Sequence, residues 1–418
     1  GFQSQSLKTL VDMINARIIP DIPCSGSLGA SGDLAPLARL GRAMQGDDVM
    51  VTFKNQRMTA KEALKAANIA PFIPLAKEGL AMTNGTSFMA SMASIAIAKQ
   101  CHLLENILAM IPIFLDAIGA VDAAFTSPIH DVRKQKGQQL VASVLRECLE
   151  GSSMIDREGI QDDYSVRCIP QILGPKIEVF LENIAKIEAE LDAVTDNPLI
   201  FKGEEIGKDL DPKRIFSFEG EDWTVLSGGN FHGECLTTSA DSIAVLNAKV
   251  ILLLERQMTY MLNPFRNGEK LPIYLIADRE SAGLSSGYMI TQYTGNDLAQ
   301  KIAAYGVPTG IYNITSANES EDVVSYGSAA CQRLLKQINL AEDFLAVYHT
   351  IVTQAYAIAR EKGTPNKNSY SERAFAITQE YTTTPYPYTK EDDFILRYEE
   401  SKKVLAGAGL RNLLGHPL

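Results

Sequence analysis

The sequence predicts a mainly α-helical protein, a bundle of long helices with few short strands. Three observations carry this. Glu234 to Leu262 runs without Gly or Pro, enough for a rod of roughly 40 Å at the helical rise per residue. Ala329 to Lys362 is a second such run, with Gly363 as its stop. Strand signals are confined to short segments such as Val49 to Phe53 and Leu199 to Phe201.

In chain order, Leu7, Leu10, Val11, Ile14 and Ile18 keep helical spacing. Asp33 is placed to cap a helix running through Leu40, with Pro36 tolerated in its first turn. Asn84-Gly85-Thr86 starts a helix rich in Ala, Met, Ile and Leu that reaches about Met110. The most apolar stretch, Ile107 to Phe125, is interrupted by Pro112, Asp116 and Asp122. Acids inside it argue for a buried helix followed by a turn, not a membrane span. Ile177 to about Val194 is a further helix, stopped at Asp196-Asn197-Pro198. Lys202 to Asp222 is charged and glycine-containing, and reads as a solvated surface loop. Helices apolar nearly all round imply burial on more than one side, hence oligomerisation. With no repeat and no linker, residues 1–418 are expected to form one continuous body. It has a glycine-rich loop near 24–37, a central long-helix bundle over about 86–362, and a C-terminal helical region over about 363–418.

Composition agrees. Hydrophobic residues make up 46% and charged residues 21% of the 418, ordinary globular values that allow a sizeable core. A net charge of −11 offers no basic patch for nucleic acid. Cys24, Cys101, Cys148, Cys168, Cys235 and Cys331 lack metal-site spacing, so the chain reads as reduced, cytoplasmic and without a metal.

The chemistry concentrates in Gly26 to Leu37, around Ala30-Ser31-Gly32. Gly32 has no Cβ, so its amide nitrogen is free to fold back onto the Ala30 carbonyl. Ser31 carries a β-hydroxyl that leaves as water. Ring closure with dehydration gives a methylidene-imidazolone, an electron-poor alkene that ordinary side chains do not supply. Taken alone, the tripeptide is more often a glycine-rich turn ahead of a helix.

The run from Cys24 to Leu37 resembles the cofactor loop of the aromatic amino acid ammonia-lyases, the family of histidine, phenylalanine and tyrosine ammonia-lyases and the related aminomutases. Four further blocks fit it in the same order: Glu78 to Thr86, Gln161 to Cys168, Thr195 to Leu199, and Leu226 to Gly233. A fifth, Ser316 to Asp322, is looser. The resemblance implies the helical-bundle fold of that family. It also implies a small aromatic amino acid as substrate, and a homotetramer whose sites each draw on three subunits. The cofactor it implies, 4-methylidene-imidazol-5-one, forms autocatalytically from Ala30-Ser31-Gly32, with no metal or dissolved cofactor.

The same resemblance distributes roles. Ala30, Ser31, Gly32, Asn84, Tyr164 and Glu321 fall at catalytic positions, and Arg167, Asn230, Gln161 and Phe231 at substrate-binding ones. Arg167 is suited to clamp a carboxylate with two parallel hydrogen bonds. Tyr164, three residues earlier, shares its face on a helical turn and is placed to relay a proton. Read singly, they are a surface arginine and a core aromatic. Asn84 matches the asparagine that bonds the imidazolone oxygen, although Asn-Gly is equally a turn. Phe231 matches the aromatic packed on the cofactor, with Asn230 beside it for the substrate carboxylate and Gln161 to orient either partner. His232 reads as a core histidine. Glu321 suits an imidazole side chain and favours L-histidine, converted to urocanate; it equally suits a cap on the following helix. Phenylalanine or tyrosine ammonia-lyase, aminomutase, and a non-catalytic helical homologue are the alternatives.

The resemblance also implies a substantial segment ahead of the loop, carrying a tyrosine base, whereas 29 residues precede Ala30 here. The expectation is that an N-terminal piece is missing or supplied as a separate fragment, and that this chain alone does not complete elimination. Tyr305 to Gly310 superficially resembles the tyrosine loop but sits in the wrong connection.

Overall fold

The computed structural model describes residues 3–278, 280, 283–389 and 394–415. The helices in order are α1 (Ser4–Asn15), α2 (Leu34–Met44), α3 (Ala60–Ala67), α4 (Glu78–Thr83), α5 (Ser87–Ile118), α6 (Ser127–Asp131), α7 (Lys136–Leu149) and α8 (Tyr164–Arg167). They continue with α9 (Ile169–Leu191), α10 (Glu234–Leu262), α11 (Met289–Ala304), α12 (Gly327–Lys362), α13 (Tyr370–Glu380), α14 (Phe394–Ala406) and α15 (Gly409–Asn412). The mainly helical fold class stands. The chain forms two compact units. The first comprises Gly1–Ser94, Ala185–Ala240 and Thr309–Gln332; the second comprises Ile95–Ile184, Asp241–Pro308 and Arg333–Leu418.

In the first unit, β1 (Ile19–Pro20), β2 (Met50–Phe53) and β3 (Gln56–Thr59) form an antiparallel sheet in that order, with Ile19 opposite Thr52 and Met50 opposite Thr59. Met13, Met44, Val51, Phe53, Leu64 and Met82 are among its core. Thr59 and Glu62 make a reciprocal capping box at the start of α3, satisfying two otherwise orphan amides. A second antiparallel sheet orders β4 (Leu199–Lys202), β6 (Glu221–Leu226) and β5 (Phe216–Phe218) as β4-β6-β5. This corrects the solvated-loop reading of Lys202 to Asp222 in part: the segment is exposed, but Lys202 pairs with Trp223, and Phe216–Phe218 pair with the start of β6.

Helix α1 has the expected period with the opposite face inward. Ser6, Thr9 and Met13 are buried while Leu7, Val11 and Ile14 are 52%, 44% and 65% exposed. Thr9 Oγ1 donates to Ala70 O at 3.2 Å, which fixes that face, and Ile18 reaches the core from beyond the helix end.

In the second unit, Phe114, Leu145, Leu254, Phe344, Tyr348 and Ile351 are among the buried residues of one large core. Residues 107–118 are all buried and the helix ends before Gly119, as the apolar stretch implied. Asp116 is held by Ser152 Oγ (2.7 Å) and Ser371 Oγ (2.6 Å), and burial raises its pKa. By length and composition α5 and α10 could each cross a membrane, yet 83% and 61% of their apolar windows are buried inside the protein.

Helices α7 and α9 meet backbone to backbone. A Cβ on Gly137 would lie 2.2 Å from Gly174 O, and one on Gly174 would lie 2.3 Å from Gln138 N. A buried polar network also crosses this unit. Lys176 Nζ donates to Asn247 Oδ1 at 2.6 Å and Ile243 O at 3.1 Å. Asn247 Nδ2 donates to Gln100 Oε1 at 2.8 Å and Gln337 Oε1 at 3.3 Å. Burial drives the Lys176 pKa well below its usual value, because a cation is costly there.

Candidate active site

The candidate residues fall into two sets, one in each unit. In the first unit the chain reaches Ser31 with φ +53° and Gly32 with φ +90°. The left-handed region costs a non-glycine residue free energy and persists only where surroundings impose it. Here the surroundings are Asn84-Gly85-Thr86. Gly32 and Gly85 form a parallel bridge, with Asp33 N donating to Gly85 O at 2.8 Å and Gly85 N donating to Ser31 O at 3.3 Å. A Cβ on Gly32 would lie 2.1 Å from Gly85 O, so no other residue fits without moving backbone. Thr195 closes the other side, its Oγ1 accepting from Thr86 N at 3.3 Å.

Helix α2 starts one residue after Asp33, and α5 starts one residue after Thr86. Asp33 occupies the N-cap position of α2 but makes no side-chain cap there. Its carboxylate instead accepts from Ser27 Oγ at 2.7 Å and from Met89 N, in the first turn of α5, at 2.9 Å. The sequence expectation named the wrong helix: an amide of α5 competes for the same buried oxygens. Burial raises the Asp33 pKa despite these bonds.

Ser31 Oγ donates to Glu321 Oε1 at 3.0 Å, and Ser316 Oγ donates to Glu321 Oε2 at 2.5 Å. Paired backbone bonds between Ser316 and Glu321 close the intervening loop. Inside it Ala317, Asn318 and Glu319 all have positive φ, at +49°, +54° and +68°. Glu321 is not the cap of the next helix, since α12 starts at Gly327.

Asn84 ends α4 and its Nδ2 donates to Asn197 O at 2.6 Å. Asn197 Oδ1 in turn accepts from Gly228 N at 2.7 Å, and Asn230 Nδ2 donates to Val194 O at 3.1 Å. Phe231 and His232 are half-buried. Ser316 and Asn197 lie within the family-like blocks, where their residue types suggest no part in the site. Their part is to hold a neighbour's polar atom, which a residue type does not announce.

The second set is local. Val166 N and Arg167 N both donate to Asp163 O at 3.0 Å, making the single turn of α8. That turn lays the Arg167 guanidinium over the Tyr164 ring, 4.8 Å from its centroid, a cation–π arrangement. Tyr164 is 72% exposed. Arg167 Nε is buried without a hydrogen-bond partner among the described residues, a donor awaiting an acceptor. Gln161, Tyr164 and Arg167 line a cavity of about 730 Å³ together with Arg256, Tyr260 and Arg266. Arg266 pairs with Asp163 at 2.5 Å. Burial, and then the charges of Asp162 and Asp163, raise the Tyr260 pKa. Tyr305 caps the end of α11.

The sequence profile of the aromatic amino acid lyases matches residues 1–380. The chain is 34% identical over 372 residues to a probable histidine ammonia-lyase of Thermoplasma acidophilum, covering 88% of this chain and 69% of that protein. It is 35% identical over 336 residues to a histidine ammonia-lyase of Alkaliphilus metalliredigens, covering 80% and 62%. The chain thus spans about two thirds of the length of these curated relatives. Its fold matches the crystal structure of histidine ammonia-lyase from Trypanosoma cruzi with a TM-score of 0.85 at 26% identity, covering 99% of this chain and 74% of that one. Phenylalanine aminomutase of Pantoea agglomerans matches with a TM-score of 0.83 at 25% identity, covering 96% and 76%. With its profile matched over most of the chain and its helices superposing on those of solved members, the chain belongs to the aromatic amino acid lyase family.

Proposed function

We propose that the protein is an ammonia-lyase acting on an aromatic L-amino acid, with L-histidine, converted to urocanate, as substrate. The observation that carries this is the strained Ser31-Gly32 turn, locked against Gly85 with the Ser31 hydroxyl on a carboxylate. The tripeptide fits 4-methylidene-imidazol-5-one: the Gly32 position has no room for a Cβ, and Ser31 brings the β-hydroxyl that ring formation removes. That group supplies an electron-poor alkene able to draw electrons from the amino acid.

Binding and orientation of the substrate fall to side chains. Elimination breaks the Cα–N bond, whose electron pair leaves with ammonia, and the Cβ–H bond, whose pair becomes the new double bond. Arg167 binds the substrate carboxylate, its unpaired Nε adding a donor, with Asn230 assisting. Gln161 orients the amino acid, and Tyr164 moves a proton at its hydroxyl. Asn84 stabilises negative charge near the tripeptide, Phe231 walls the pocket, and Glu321 accepts an N–H from the imidazole. An acid there favours imidazole over a phenyl ring, which gains nothing from it. The positive ends of α2 and α5 favour charge build-up at the same corner. We place the enzyme in the reducing cytoplasm as a homotetramer; six free thiols and several exposed apolar side chains, Leu7 and Ile14 among them, support this reading.

The test is the full-length protein's production of urocanate and ammonia together with its intact mass. The wild type is expected to be short by two waters, located to the Ala30–Gly32 peptide. Ser31→Ala should show neither the deficit nor turnover; unchanged turnover in that variant overturns the proposal.

A further inference from the structure

We propose that Glu321 takes part in making the electrophile, by passing a proton to the departing hydroxyl of Ser31. The inference rests on the function proposed above and adds a role for one side chain before any substrate arrives. Its basis is geometric. Glu321 is held at both oxygens, by Ser31 Oγ at 3.0 Å and by Ser316 Oγ at 2.5 Å. It is presented by a short loop with three consecutive residues at positive φ, and strain of that kind is maintained only when surrounding structure over-determines it. A carboxyl that only solvated a surface would need neither the strain nor the second serine.

Two waters must leave the tripeptide, and they leave differently. For the first, Gly32 N bonds to the Ala30 carbonyl carbon. The Ala30 oxygen departs as water with the protons from the Gly32 and Ser31 amides, leaving a C=N bond. Glu321 is hydrogen-bonded to none of these atoms. For the second, the Cα–H bond of Ser31 breaks and its electron pair becomes the Cα=Cβ bond. The Cβ–Oγ bond breaks, and the oxygen leaves as water with its own proton and one more. Hydroxide is a poor leaving group, so delivery of that proton governs the step. Glu321 is hydrogen-bonded to the oxygen that needs it. Its carboxylate gains the proton released from Cα and gives one to Oγ, ending unchanged. Nothing is oxidised or reduced. Once the hydroxyl has gone, Oε1 has lost its partner and is open to a substrate N–H. One carboxylate then serves two steps in a fixed order.

The experiment is intact mass and peptide mapping of the full-length protein, followed over time after synthesis, for wild type, Glu321→Gln, Glu321→Ala and Ser316→Ala. Wild type should reach a deficit of two waters. The Glu321 variants should stall one water short, with loss of the second slowed by about a hundredfold or more, the usual scale of a positioned proton donor. Ser316→Ala leaves the carboxyl in place but released at one oxygen, and should slow the second loss less. Glu321→Gln losing both waters at the wild-type rate, with helical circular dichroism retained, overturns the inference and leaves the proposed function standing. A wild type without any deficit overturns both. Should both Glu321 variants fail to fold, Ser316→Ala decides: a wild-type rate there overturns the inference.

Discussion

The corner around Ser31 and the polar network around Lys176 both take polar groups out of water, by opposite means. At Lys176 the backbone is regular helix, burial lowers the pKa of the amine, and its amide partner Asn247 is itself bonded to Gln100. Gln100, Lys176, Ile243, Asn247 and Gln337 are all helical, and none has a positive φ. At Ser31 the partners are also in place, but the backbone is forced into left-handed conformations on both sides of the contact. One region spends its hydrogen bonds on a stable core. The other uses them to hold a backbone that gains by reacting. Polar burial alone does not mark a site; polar burial together with imposed backbone strain does.

The sharpest way to break this contrast is Gly32→Ala. The added Cβ would meet Gly85 O at 2.1 Å with φ at +90°, so overpacking and backbone strain combine to cost about 3 kcal/mol or more. The variant should keep its two amide bonds unclosed, read as a mass with no water lost, and unfold at lower urea. A Gly32→Ala protein with the wild-type mass deficit would show that the turn is not imposed by Gly85.

An effect of comparable size separates the quiet core from the reactive corner by pH. His349 is buried between Ser401 Oγ (2.9 Å) and Thr378 Oγ1 (3.2 Å), and burial lowers its pKa to about 4. The unfolded chain therefore binds more protons than the folded one between about pH 6.5 and 4. Stability contributed by neutral His349 is full above pH 6.5 and falls through that window by about 1.4 kcal/mol per unit. Asp33 and Asp116, with raised values, oppose this by binding protons in the folded state. Urea midpoints taken from pH 7 to 4 should fall in the wild type and fall less in His349→Gln. An equal slope in both would remove His349 from the account.

The smallest expected change tests the second set. Arg167→Lys keeps the charge but loses the planar pair of donors, about 1.5–3 kcal/mol for hydrogen bonds to a charged group. The expected result is a ten- to hundredfold fall in kcat/KM with an unaltered mass deficit, because Arg167 belongs to a different unit from the tripeptide. A changed deficit would mean that the two sets are coupled during maturation.

Much of this was legible in the sequence, and the misses share a cause. Helix α10 begins and ends where the Gly- and Pro-free run does. Helix α9 starts at Ile169, eight residues before the expected Ile177, because Pro175 sits inside it, a position that propensity argues against. Gly174 permits the close approach of α7, since a Cβ there would lie 2.3 Å from Gln138 N. The turn from Tyr164 to Arg167 was readable from spacing, since one helical turn is a local property. The bond from Ser31 to Glu321 spans 290 positions, and no local pattern announces such a pair. Only the order of family-like blocks hinted that both belonged together. Asp33 teaches the same lesson: its neighbours in sequence suggested one partner, and the fold supplied another.

The meeting of Gly137 and Gly174 has a consequence for how far this protein can be altered. With two helices touching through bare backbone, a methyl group at either position has nowhere to go except into a carbonyl or an amide nitrogen. The pair behaves as a hinge pin without play. A library that randomises α7 or α9 should return glycine at both positions, whatever activity is selected, while tolerating change at an exposed neighbour such as Lys136.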